Sequence, residues 1–179
     1  NGRVKGAKKM KFNEIFEEID PYEPGLSYEE NPVRMDKNEN PFDLPDEVKV
    51  DVLRKLNDLP FNRYPHIDSF KLRSKLADFL ELQPGNIIVG SGSDELISYT
   101  LKIFAGDKVI FNPPTFSMYK FYSLLENLQP LPVPLGANFE LNVDQVLEEM
   151  SRVRVVFLCS PNNPTGNSFS REDVVKILE

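Results

Sequence analysis

Apolar positions recur at helical spacing in the first half of this chain and as short runs between turn residues in the second. Asp46 to Asn57 places Val48, Val52, Leu53 and Leu56 on one helical face, and Asp68 to Leu80 repeats the pattern with Leu72, Leu76, Phe79 and Leu80. Before them, Phe12 to Ile19 reads as a short amphipathic helix closed by Asp20-Pro21-Tyr22-Glu23-Pro24-Gly25, and from there to Pro45 proline, asparagine and charge predict an extended arm. Beyond Leu80 strand and helix alternate. The predicted order is a strand over Asn86 to Gly90, a helix over Ser93 to Phe104, a strand over Lys108 to Asn112 and a helix over Thr115 to Asn127. A proline-broken strand follows at Leu131 to Leu135, then a helix over Val143 to Met150, a strand over Val153 to Ser160 and a helix over Ser170 to Leu178 with a capping signal in Ser170 and Asp173. Such alternation predicts an α/β fold with a mainly parallel sheet flanked by helices on both faces. A crossover helix ordinarily leads into a further strand, so a sheet ending at Ser170 to Leu178 reads as unfinished.

The apolar, charged and aromatic fractions are those of an ordinary soluble protein with one real core. A formal charge of -7 argues against a nucleic-acid partner, whose phosphates call for clustered lysine and arginine. The longest apolar runs fall far short of the roughly twenty residues of a membrane span, and no secretory leader is legible, so the expected location is the cytoplasm. Basic residues cluster only at the start, where Arg3, Lys5, Lys8, Lys9 and Lys11 precede Glu14; Met10 within them reads as a native start behind a leader, with a functional basic arm as the other reading. The lone Cys159 lies in an apolar run, is expected to be buried, and fits a reducing compartment. His66, the only histidine, reads as a loop residue without a metal role.

Three turns carry the candidate chemistry. Ser160-Pro161-Asn162-Asn163-Pro164-Thr165-Gly166 follows the apolar run Val153 to Cys159, and its prolines remove backbone freedom where a strand ends. Ligands of open α/β sheets bind at such ends, and Asn163 is the best candidate for an aimed amide, with simple turn capping as the other reading. Gly90-Ser91-Gly92-Ser93-Asp94-Glu95 joins a strand to a helix, and its small residues let an anion approach the first-turn amides, an interaction of roughly 0.3 to 2 kcal/mol. Glu95 stands where a dinucleotide fingerprint would want glycine, and no lysine followed by serine or threonine marks a nucleotide loop. Read blandly, Ser93, Asp94 and Glu95 are first-turn capping residues only. Asn112-Pro113-Pro114-Thr115-Phe116-Ser117-Met118-Tyr119 is the third turn, and its aromatics serve either a ligand or the core.

Together these segments resemble the histidinol-phosphate aminotransferases, members of the fold-type I pyridoxal-phosphate-dependent aminotransferases. Gly92-Ser93-Asp94-Glu95 is similar to that family's phosphate-holding turn, Pro113 to Tyr119 to its ring-stacking segment with Phe116 where tyrosine is usual, and Asn163-Pro164 to its asparagine-proline turn. Arg63-Tyr64-Pro65 resembles the segment whose tyrosine crosses a dimer interface to the neighbour's cofactor phosphate, and Pro21-Tyr22 and Lys37-Asn38-Glu39-Asn40-Pro41 resemble segments lining the substrate pocket. The resemblance implies pyridoxal 5'-phosphate held by Ser93, Asp94, Glu95, Phe116, Asn163 and Tyr64, with Tyr22 and Asn40 toward the substrate. The amide of Asp94, not its charge, is the expected donor to a phosphate. It further implies a homodimer and transfer of an amino group between L-histidinol phosphate and 2-oxoglutarate in histidine biosynthesis. On this reading residues 1–45 are leader and arm, 46–80 a helical part of a minor domain with its linker, and 81–179 an incomplete cofactor-binding α/β domain.

No lysine here occupies the context of the family's cofactor-attaching lysine, and the aspartate for the pyridine nitrogen and the later arginines find no match, so this chain carries no catalytic residue and is expected to be inactive alone. The alternatives are another superfamily member, such as a threonine-phosphate decarboxylase or aromatic aminotransferase, and a non-catalytic phosphate-binding module. A lysine downstream in the parent reading frame would separate enzyme from module.

Overall fold

The computed structural model describes residues 37–179, so the expected helix over Phe12 to Ile19 and the arm residue Tyr22 lie outside the described residues. The described residues form two units, 37–88 and 89–179. In the first, α1 (Asp46–Asn57) has the predicted bounds, with Pro45 before it, Asp46 and Glu47 in its first turn and Arg54 and Lys55 in its last, each charge opposing the helix dipole. Its partner α2 (Phe70–Leu80) starts two residues later than expected, because Asp68 and Ser69 are spent on the turn whose Asp68 carboxylate accepts the Phe70 N–H at 3.2 Å. α1 buries no residue and α2 only Ala77.

The strand expected over Asn86 to Gly90 does not form. Pro84–Asn86 closes a short 3-10 turn in which the Gln83 N–H donates to the Asn86 side chain at 3.2 Å. Ile87 is extended at φ -117° and ψ 128°, yet residues 87–90 pair with no strand among the described residues and Ile88 is 68% exposed. An apolar run becomes a strand only where a neighbour accepts its ladder hydrogen bonds.

The 89–179 unit holds α3 (Ser93–Phe104), β1 (Lys108–Phe111), α4 (Met118–Leu125), β2 (Gln129–Pro132), α5 (Val143–Met150), β3 (Val155–Phe157) and α6 (Arg171–Leu178). Its sheet is parallel in the order β2-β1-β3, with Ile110 opposite Leu131 on one side and Val156 on the other. Side chains of β1 alternate between two cores. Ile110 packs with Val133, Leu141, Val146 and Ile177 beside α5 and α6, whereas Val109 packs with Ile97, Leu101 and Val155 beside α3 and α4. Helices therefore cover both faces, as a parallel sheet requires. Ser170 caps α6 as predicted, its hydroxyl accepting the Asp173 N–H at 3.0 Å.

Three elements of this unit differ from expectation by two residues or more at an end, for local reasons. β2 lies at Gln129–Pro132, not Leu131 to Leu135, because the chain alternates prolines at 130, 132 and 134 with residues that donate inward: Gln129 to Asp107, Val133 to Phe111 and Leu135 to Pro113, at 2.8, 3.0 and 2.9 Å. Every missing N–H thus falls on the outer side, where proline is tolerated and an edge is guarded against further pairing. α4 begins at Met118 instead of Thr115, since the Pro114 carbonyl and the Thr115 hydroxyl are engaged across the sheet's end. β3 is confined to Val155–Phe157, and Cys159, past its end, is half-buried where full burial was expected. Among the described residues no helix is long and apolar enough to cross a membrane.

Candidate active site at the sheet switch point

The chain runs from β1 to β2 on one side and returns to place β3 on the other, so the strand order reverses between β1 and β3. At such a switch point the loops leaving the carboxyl ends of the two strands diverge and open a crevice. Those loops are residues 112–117 after β1 and 158–167 after β3, two of the three turns marked in the sequence. The buried Asn162 joins them: its Oδ1 accepts the Thr115 hydroxyl at 2.8 Å and its Nδ2 donates to the Pro114 carbonyl at 2.9 Å and to Thr165 Oγ1 at 2.7 Å. Within the second loop the Asn162 N–H donates to the Asn167 carbonyl and the Gly166 N–H to the Asn162 carbonyl, both at 2.7 Å, with Gly166 at φ +74° where a side chain would be strained.

The Ser93 turn belongs to the same rim. Ser98 donates to Glu126 at 3.2 Å, and the Asp94 charge helps burial raise the Tyr122 phenol above its ordinary value. Lys102 near the end of α3 also pairs with Glu126, just past the end of α4, at 3.3 Å, so the two helices end side by side and the amino end of α3 faces the same way as the carboxyl ends of the strands. Gly92, at φ +85°, turns the chain into α3, and no side chain caps the helix. Its first-turn amides therefore point outward without a side-chain acceptor. A Cβ at Gly90 would stand 2.8 Å from Glu95 Oε2 and 2.9 Å from Leu96 Cδ2, so the ends of those two side chains would have to shift.

Glu95 is committed within the protein. Its carboxylate accepts the Ser91 N–H at 2.7 Å and the Tyr99 hydroxyl at 3.0 Å, and these bonds, the amide first, hold it below the usual carboxylate range. A group whose folded value is depressed stabilises the fold above its ordinary value and loses that contribution as pH falls through the folded value. Glu95→Gln is thus expected to lower stability slightly at neutral pH and to match the parent in acid, as denaturant titrations across pH will read.

Ser93 is exposed and Asp94 half-buried at the turn itself. Phe116 is half-buried, edge-on to Tyr119 with ring centroids 5.7 Å apart, so part of its ring remains accessible. Tyr119 in turn stacks on Phe157 at 4.5 Å, and burial, aided by Cys159, pushes its phenol well above the ordinary value. Asn163 is half-buried and its side chain makes no hydrogen bond among the described residues, unlike its neighbour Asn162. In the 37–88 unit Tyr64 is fully exposed, and Asn40 is exposed with its side chain accepting the Phe42 N–H at 3.0 Å in an asparagine turn. No three histidine, cysteine, aspartate or glutamate side chains gather in a metal-binding arrangement among the described residues.

Two residues of this rim escaped sequence reasoning. Asn162 stood beside Asn163 in the same turn, and nothing in the order of residues says which asparagine faces inward. Asn112 is buried at the end of β1 and donates to the Val133 carbonyl at 3.0 Å, tying the loop to the segment after β2. The signal was its place directly after an apolar strand.

The rim defines a class. Residues 30–179 match the family described as aminotransferase class I and II, and the chain belongs to that family. It is similar to the histidinol-phosphate aminotransferase of Thermococcus gammatolerans, with 45% identity over 166 residues covering 92% of this chain and 49% of the relative. The corresponding protein of Pyrococcus furiosus is 43% identical over the same shares of each chain. The chain spans about half the length of the curated relatives it matches. Among solved structures, the histidinol-phosphate aminotransferase from Clostridium acetobutylicum has the same fold, with TM-score 0.67 at 21% identity over 79% of this chain and 41% of that one. The one from Sinorhizobium meliloti in complex with pyridoxal-5'-phosphate gives TM-score 0.66 at 22% identity over 75% and 37%.

Proposed function

We propose that the full-length protein is a histidinol-phosphate transaminase, a pyridoxal-phosphate enzyme that moves an amino group between L-histidinol phosphate and 2-oxoglutarate in histidine biosynthesis, acting as a cytoplasmic homodimer. What supports the reading is that the turns before α3, after β1 and after β3 carry, in that order, a helix terminus without a side-chain cap, a half-buried aromatic ring and a carboxamide with no hydrogen bond among the described residues. The relatives named above support the substrate.

These groups fit the cofactor's chemistry part by part. The first-turn amides of Ser93 and Asp94 hold a phosphate, with Glu95 bracing the turn through Ser91. Phe116 offers its ring face to a planar pyridine, for which no hydroxyl is needed. Asn163 donates its amide to the ring oxygen, favouring the ionised form of that oxygen. Tyr64, exposed on its own unit, supplies a hydroxyl to the phosphate at the neighbouring subunit's site. On the same reading Tyr22 and Asn40 serve the substrate. When bound, pyridoxal phosphate supplies the electron sink for proton loss beside the amino group.

Full-length protein loaded with the cofactor is expected to form glutamate from 2-oxoglutarate with L-histidinol phosphate as donor, and the 179-residue chain alone to form none. Release of carbon dioxide from threonine phosphate, or indifference to histidinol phosphate, would overturn the assignment.

A further inference from the structure

We infer that Asn162 is the positioning residue that fixes Asn163 relative to Phe116, an inference that rests on the proposed reading of the rim. Asn162 is 3% exposed, and its carboxamide uses both donor hydrogens and one acceptor position on partners far away in sequence or across its own turn. The orientation is unambiguous, because the Pro114 carbonyl only accepts and must therefore face Nδ2. The bonds then run in one direction. Thr115 donates to Asn162, Asn162 to Thr165, Thr165 to Asn167, and Asn167 to the Phe139 carbonyl at 2.9 Å.

The consequence is geometric. Asn163 is the next residue after this anchor, and Phe116 follows the anchored Pro114 and Thr115 directly. One buried amide thus sets the spacing between the group that holds a planar ring and the group that meets its oxygen. A network of this kind, centred on one buried amide, specifies one arrangement, and losing one partner leaves the others misdirected. Among the described residues the Asn163 side chain makes no hydrogen bond, so its aim depends on the backbone that Asn162 holds.

The test uses full-length protein and three variants, Asn162→Ala, Thr115→Val and Thr115→Ser, read by thermal melting and by pH titration of the bound cofactor's visible absorption band. Thr115→Val removes one hydroxyl at nearly constant volume and keeps the test open if Asn162→Ala fails to fold. A misaimed Asn163 stabilises the ionised ring oxygen less, so the band's midpoint is expected to rise by about half a pH unit or more in Asn162→Ala and Thr115→Val and to return to the parent value in Thr115→Ser. Variants that melt earlier but titrate at the parent midpoint would make Asn162 a scaffold residue only and overturn the inference. A parent protein with no cofactor band at all would overturn the reading of the rim, and this inference with it.

Discussion

Ile110→Ala is expected to cost the 89–179 unit about 2 to 5 kcal/mol of stability, the largest loss from any single truncation in its core. Ile110 is 0% exposed in the central strand, paired on both sides, and it is the residue of β1 on which Val133, Leu141, Val146 and Ile177 converge. These four come from the segment after β2, the loop before α5, α5 itself and α6, so the cavity opens where four chain segments meet and none can close it alone. Since a domain's whole stability is about 5 to 15 kcal/mol, a truncation of this size leaves a visible unfolded fraction under mild denaturant. Ile103→Ala, on the 67% exposed position of α3, is expected to stay within about 0.5 kcal/mol of the parent. Urea titration followed by far-ultraviolet circular dichroism measures both. Equal midpoints for the two variants would mean that Ile110 is not the keystone of that face.

The same residues show why parts of the fold were legible beforehand. α1, α3 and α5 match their predicted bounds because each start carries its own chemistry: Pro45 before Asp46, Gly92 before Ser93, and Asn142, whose side chain accepts the Gln145 N–H. Those signals are local, and so is the Ser170 cap of α6. Strands are different, because pairing partners decide them. Ile87, Ile88 and Val89 have the composition of a strand yet lack a ladder partner among the described residues. Gln129 to Pro132 has poor composition yet pairs through its odd-numbered residues, since only their N–H groups face β1. The parallel, doubly covered sheet followed from alternation alone, whereas the order β2-β1-β3, and with it the switch point, required coordinates.

For the site, short motifs pointed to three turns, and the structure adds where some of their side chains go. Phe116 and Asn163 follow the adjacent strands β1 and β3, and Ser93 and Asp94 open α3, while Glu95, grouped with them in the sequence, turns back to Ser91. Asn162 and Asn163 were indistinguishable in sequence because the direction of a side chain in an irregular turn depends on which backbone groups surround it. Here the Pro114 carbonyl and the Thr115 hydroxyl, 48 and 47 residues upstream, select Asn162 as the inward one.

That contrast yields the prediction with the largest functional effect. Asn163→Ala in the full-length protein is expected to weaken pyridoxal phosphate binding about 10- to 100-fold, the value of one hydrogen bond to a charged group. Its melting temperature without cofactor is expected to match the parent's, because the Asn163 side chain has no hydrogen-bond partner among the described residues to lose. Asn162→Ala should do the reverse to the fold, breaking bonds to Pro114, Thr115 and Thr165 at once and leaving buried polar groups unpaired. Fluorescence titration with the cofactor and melting of the cofactor-free protein separate the two. An Asn163→Ala protein that binds like the parent, or that melts as early as Asn162→Ala, would remove Asn163 from the site and leave the rim without its ring-oxygen donor.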